Sequence, residues 1–203
     1  MKQYQEMIDV LKELINIGIG RAAGMLNEML DTHVILQVPI IRILSRHDLE
    51  WELGGMSGNT LSAVQMGFKG SFSGNALLLF PPDSANNLVS VLTGEDSIED
   101  DMDSIRMGTL TEIGNILINC VMGSISNAFG KQLSYSLPSY FEDSLLNMLQ
   151  KNDEDARDAT IILARTHFII EKHFINGDII LFFEVGSFDA LLDCVKLLLE
   201  KTR

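Results

Sequence analysis

The sequence predicts an α+β fold: an internally duplicated, pseudo-two-fold arrangement of antiparallel β-sheet with two long motif-bearing helices. Three observations lead there. Helical periodicity gives way to strand-like runs and then to helical periodicity again, and this order occurs twice along 203 residues. A shift of 99 positions carries Glu13 onto Glu112, Asn16 onto Asn115, Ile17 onto Ile116, Ile19 onto Ile118, Gly24 onto Gly123 and Pro39 onto Pro138. Four more residues of insertion bring Gly74 onto Gly177, Phe80 onto Phe183, Ser84 onto Ser187 and Leu88 onto Leu191. Each copy offers only a few strands and two helices, too little for a core of its own. The expectation is therefore one domain, residues 1–203, made of repeats at about 1–94 and 95–203.

The elements follow in order. From residue 4 to about 30, Met7, Val10, Leu11, Leu14, Ile15, Ala22, Met25, Leu26 and Met29 recur at helical spacing, with Asp9, Glu13, Asn16 and Gly20 on another line of the same helix. Beyond Asp31, "HVILQVPIIRIL" reads as a strand whose Pro39 marks an edge or an irregularity, because proline donates no ladder hydrogen bond. "LSAVQMGFKG" and "GNALLLF" are further strands, and "PPDSANNLVSVLTG" a helix started by its prolines. The acidic run "EDSIEDDMD" is a solvated connection whose carboxylates suit the N-terminus of the helix that follows. That helix runs from Ser104 to about Asn127. Strand signals return in "KQLSYSLP", "ATIILARTHFII" and "GDIILFFEV", with Asn176-Gly177 as a hairpin turn signal before the last. "SFDALLDCVKLLLEKT" closes the chain as an amphipathic helix.

Composition narrows the function. With 46% hydrophobic and 21% charged residues the chain is an ordinary globular one. No apolar run approaches the roughly eighteen residues that cross a membrane, so no membrane partner is expected. "MKQYQEMIDV" lacks the cationic flank and apolar stretch of a secretory signal. Cys120 and Cys194 form no CxxC and no disulfide framework, which fits reduced thiols in a cytoplasmic protein. A net charge of −13 would repel phosphate backbones and argues against nucleic acid.

Most motif-like stretches carry no chemistry. "GIGRAA" matches a dinucleotide fingerprint, but helical periodicity runs through it where a strand-to-helix turn is required. Its glycines are better read as places where another backbone or a partner approaches the helix. His33, His47, His167 and His173 show no zinc-ligand spacing, so no metal site is expected. "GSFSGN" lacks the Lys-Ser/Thr ending of a phosphate loop, and no GxSxG occurs.

The Glu and Asn pairs remain. Residues three and four apart share a helix face, so Asp9, Glu13 and Asn16 form one polar ridge, echoed by Gly108, Glu112 and Asn115. A single ExxN is weak, because surface polarity explains it. Its duplication, with a proline 23 residues after each Asn, is harder to dismiss. Asn also weakens a helix interior by competing for backbone hydrogen bonds. Without a nucleophile or metal ligands the pair makes no self-contained catalytic site. An Asn does hold and aim a water, and a Glu pairs with a lysine on a docking protein.

At these residues the sequence resembles the CheC/CheX/FliY family of chemotaxis phosphatases, and its CheC type most closely. The family motif is Asp or Ser, three residues, Glu, two residues, Asn, twenty-two residues, Pro. Asp9, Glu13, Asn16 and Pro39 match it fully; Gly108, Glu112, Asn115 and Pro138 match at all but the first position. The resemblance covers nearly the whole chain and its two-copy organisation. It implies an enzyme that dephosphorylates the aspartyl phosphate of a CheY-type response regulator. Asn16 and Asn115 would position the attacking water, Glu13 and Glu112 would anchor the regulator through its active-site lysine, and Pro39 and Pro138 would be structural. The resemblance implies no cofactor bound by this chain; Mg²⁺ is expected on the regulator. Gly108 departs from the motif and predicts two sites of unequal strength. A non-catalytic module that binds the phosphorylated regulator, as a sink, adaptor or flagellar-switch component of the FliM kind, is the alternative. The chain ending just after the second repeat, and intact Glu and Asn in both copies, favour catalysis. The deamidase CheD is a further candidate partner, although no residue is assigned to it.

Overall fold

The computed structural model of the chain describes residues 2–31, 33–52, 60–93, 102–144, 147–148, 160–170 and 173–201. Helix α1 (Lys2–Leu30) buries Ile8, Leu11, Ile15, Ile19, Ala22 and Leu26, a stripe at three- and four-residue spacing that faces inward. Met25 and Met29, expected on that stripe, are 51% and 47% exposed. Leu26 takes the inward place beside Met25, and Met29 sits in the last turn of the helix. Helix α4 (Met102–Ala128) is buried almost all round, through Leu110, Ile113, Ile116, Leu117, Ile118, Val121, Met122 and Ile125. It lies between α1, helix α3 (Pro82–Thr93) and the sheet.

The strands are β1 (Val34–Leu44), β2 (Thr60–Gly70), β3 (Gly74–Phe80), β4 (Leu133–Tyr135), β5 (Ser139–Ser144), β6 (Thr160–Ile170) and β7 (His173–Phe183). Among the described residues these seven form one antiparallel sheet in the order β1-β6-β7-β3-β2, with β4 and β5 both pairing β2. Exchanging β1, β2 and β3 for β5, β6 and β7 leaves every pairing but that of β4 with β2 unchanged, which is the pseudo-two-fold expected. At its centre Leu77 of β3 pairs with Ile180 of β7. The fold is α+β.

Runs such as "ALLLF" are apolar at successive positions because both faces of the sheet are covered. Ala76, Leu78 and Phe80 join the core under α1, α3, α4 and the last helix, α5 (Ser187–Lys201), while Leu77 and Leu79 join a smaller cluster with Leu49 and Met148 behind the sheet. Leu49 belongs to α2 (Arg46–Glu52), a short helix that the sequence pattern did not reveal. Arg165 bridges Glu52 at 3.6 Å and Asp178 at 3.8 Å, tying α2 to β6 and β7. Burial pushes the Asp178 carboxyl up to about 6, against the lowering pull of Arg165.

Three local expectations are sharpened or corrected. Pro39 lies where the β1–β6 register shifts, between Gln37 and Ile40, and β1 is an edge strand. The β signal in "KQLSYSLP" narrows to three residues of β4, and β5 follows directly after Pro138. Asn176-Gly177 is not a turn. β6 and β7 pair continuously from Thr160↔Phe183 to Ile170↔His173, which leaves Asn176 opposite His167, with Oδ1 2.7 Å from its Nδ1. Residues 94–101 of the acidic connection lie outside the described residues; Asp103 stands in the first turn of α4.

The glycines of "GIGRAA" separate into two kinds. A Cβ on Gly18 would stand 2.5 Å from Val121 Cα and 2.8 Å from the Cys120 carbonyl oxygen, so α1 and α4 touch backbone to backbone there. A Cβ on Gly20 meets nothing within 4 Å. Gly18→Ala is expected to lower the unfolding free energy by about 1–2 kcal/mol, because overpacking against backbone exceeds the helix-propensity gain. Gly20→Ala should raise it by up to ~1 kcal/mol. Urea denaturation of both variants checks the pair; equal effects of the two would contradict a contact at Gly18.

Candidate functional site

Helices α1 and α4 pack against each other. Gly18 meets Val121, Arg21 Nη1 lies 3.4 Å from Ser124 Oγ, and Met25 Sδ lies 3.4 Å from Cys120 Sγ.

On α1, Asp9, Glu13 and Asn16 are all exposed, on the side away from the buried stripe. Gln5 Nε2 donates to Asp9 Oδ1 at 2.9 Å, which holds the first carboxylate of the ridge from one turn earlier. Among the described residues, no side-chain hydrogen bond or ion pair engages Glu13, Asn16 or Glu112. A carboxylate and a carboxamide held out to solvent on a rigid helix, with no internal partner, are available to another molecule.

On α4, Gly108 and Glu112 are exposed and Asn115 is half-buried. The difference between the two Asn residues follows from packing, because α4 is covered on more sides than α1. Asn115 is also engaged internally: Asn119 Nδ2 donates to its Oδ1 at 2.7 Å. The 99-residue shift puts Gly20 at the place of Asn119, so the first copy has no such bond. Asn119 was within reach of sequence reasoning, one helical turn after Asn115, but the repeat comparison passes over it because its counterpart is a glycine. At Gly108 a Cβ would meet nothing within 4 Å, so the missing side chain is not enforced by packing.

Of the two prolines, Pro39 is within β1 and Pro138 is half-buried between β4 and β5. Beneath α4, Arg106 Nη2 donates to Ser62 Oγ at 2.9 Å and pairs with Glu142 at 3.1 Å, and the Tyr140 hydroxyl donates to Glu142. That network ties α4 to β2 and β5. Burial pushes the Tyr140 phenol up, and Glu142 adds to the shift. Beside the helix crossing, burial likewise pushes the Cys120 thiol up, with Arg21 opposing; neither group is poised as a nucleophile. Among the described residues, no group of three His, Cys, Asp or Glu side chains is arranged to hold a metal ion, and no helix is long and apolar enough to cross a membrane.

The exposed carboxylates and carboxamides of the two ridges can orient a water and grip a cation. A family model described as chemotaxis phosphatase CheX matches residues 62–157. The CheY-P phosphatase CheC of Bacillus subtilis (strain 168) is 28% identical over 140 residues, 66% of this chain and 65% of that protein. The match thus spans just under two thirds of the curated relative. Among solved structures, Thermotoga maritima FliY superposes with a TM-score of 0.72 at 16% identity, covering 98% of each chain. The CheX-CheY-BeF3-Mg+2 complex from Borrelia burgdorferi matches with a TM-score of 0.54 at 16% identity, covering 85% of this chain and 96% of that one.

Proposed function

We propose that the chain is a member of the CheC/CheX/FliY family, which the family model and the relatives support, and that it is a phosphatase for the aspartyl phosphate of a CheY-type response regulator. The observation that carries the reading is the Glu–Asn ridge, present on both long helices and, among the described residues, without an internal side-chain partner at Glu13, Asn16 and Glu112. Asn16, and Asn115 in the second copy, hold a water by its hydrogens or its oxygen and aim it at phosphorus. The water oxygen bonds to phosphorus as the phosphorus–oxygen bond to the aspartyl carboxylate breaks. Inorganic phosphate leaves with the protons of the water, and the regulator keeps its Asp as a free carboxylate. Glu13 and Glu112 pair with a lysine of the regulator and fix the register of docking.

The regulator would hold the Mg²⁺, which would supply charge neutralisation at the phosphoryl group, while this chain contributes position and electrostatics. The relative CheC is named for the same activity, and the CheX structure holds CheY with BeF3 and Mg+2. We further infer that the chain is one domain of two repeats, about 1–94 and 95–203, each presenting one site. The pairing of Leu77 with Ile180, equivalent positions of the two copies, supports this.

The test is the decay of phosphorylated regulator with Mg²⁺ present, in wild type, Asn16→Ala, Asn115→Ala and the double variant. Loss of the positioning group should slow each site by on the order of 10²-fold, so the double variant decays at the regulator's own rate. If wild type binds the regulator and leaves its decay unchanged, the chain is a sink or adaptor instead.

The open space at Gly108 gives a second test. In the Asn16→Ala chain, which retains only the second site, Gly108→Asp completes the motif without a clash. Turnover should rise by about 3- to 10-fold, the rate equivalent of one hydrogen bond. Unchanged turnover would mean that the first motif position contributes nothing at this copy.

A further inference from the structure

Asn119 stands one turn beyond Asn115 on α4 and donates through Nδ2 to Asn115 Oδ1 at 2.7 Å. The residue is exposed, so it fills no place in the core. It is a poorer helix former than alanine or leucine, so the helix does not need it either. Its described contact is with the one side chain of the second ridge that would meet the reacting water.

A carboxamide turns broadly about its last torsion and has two faces to offer. With Oδ1 held by Asn119, Asn115 is fixed in one of them. Its own Nδ2 is left on the opposite arm as a donor, and one lone pair of Oδ1 remains open. The first copy is supported differently. Gly20 stands where Asn119 would be, and Gln5 holds Asp9 at 2.9 Å. In the second copy Gly108 has no side chain to hold.

We propose that Asn119 is a positioning residue of the second site, fixing the carboxamide of Asn115 so that the copy lacking an acidic residue at 108 is organised from its other end. The proposal rests on the phosphatase reading of that site. Asn119 acts through Asn115 and touches neither regulator nor water in this role.

The test uses the Asn16→Ala chain, in which the second site works alone. Asn119→Leu removes the donor at nearly constant volume and favours the helix, so folding is not weakened. The expected result is a kcat for regulator dephosphorylation lower by about 3- to 10-fold with KM within about twofold, the rate equivalent of one net hydrogen bond. Asn119→Gln, which keeps an amide donor, should recover part of the loss. The loss should be confined to chains that keep Asn115.

A second readout needs no turnover. In the ¹⁵N-labelled chain without partner, the side-chain NH₂ of Asn115 should be ordered, with a high heteronuclear NOE, and should become mobile in Asn119→Leu. Unchanged kcat overturns the proposal, even if the NOE falls. An equal loss of activity in the Asn115→Ala chain overturns it too, because the effect would then be structural. If the Asn16→Ala chain shows no Asn115-dependent turnover at all, the phosphatase reading of this copy fails and the catalytic role of Asn119 falls with it. The NOE would still report whether the hydrogen bond exists.

Discussion

Everything that faces a partner depends on how closely α1 approaches α4 at Gly18. A side chain there would run into Val121 Cα at 2.5 Å, so the two helices pack backbone on backbone. Their inward stripes cover the sheet, and what remains outside is the polar line of each helix. Neither ridge is built by a loop. Each is the solvent side of a helix of 27 or 29 residues, anchored through its buried side to a core that both copies share. A site that works by positioning needs that rigidity, since misplacement of a water by about 1 Å can cost 10²-fold.

The two copies share a plan and differ in detail, and packing explains much of the difference. α1 is amphipathic, with one apolar stripe, so Glu13 and Asn16 stand clear of neighbours. α4 sits deeper, buried at Ile116, Leu117 and Ile118 in succession, and Asn115 is drawn to the margin of the core. At that margin a carboxamide gains from an internal partner, and Asn119 supplies one. In the first copy Gln5 steadies Asp9 instead.

Much of this was legible in the sequence where a residue's place follows from period alone. The helix bounds, the run Gly74–Phe80 and the irregularity at Pro39 depend on local chemistry, and the fold keeps them. Local chemistry misled where tertiary pairing decided the outcome. Asn176-Gly177 has turn composition, yet β6 supplies a partner along its whole length and the pair is held extended. The short helix α2 has too few residues to show a period, and β5, "SYFEDS", has no continuous apolar run because Tyr140 and Phe141 are only half-buried. Met25 and Met29 illustrate the remaining ambiguity, since hydrophobic composition does not say which side of a long helix another element covers. The Glu–Asn ridges were legible because they repeat. Asn119, one turn beyond Asn115, is passed over by a comparison of repeats because its counterpart is Gly20.

The central claim is that the polar lines of α1 and α4 are the surface that meets the regulator. Amide shift perturbation in the ¹⁵N-labelled chain, on titration with a CheY-type receiver domain activated by Mg²⁺ and BeF₃⁻, tests it most directly. The account predicts shifts centred on residues 9–20 of α1 and 108–119 of α4, with α2 and the strands behind it unmoved. Shifts confined to the opposite face of the sheet, around α2 and the exposed Trp51, would contradict it.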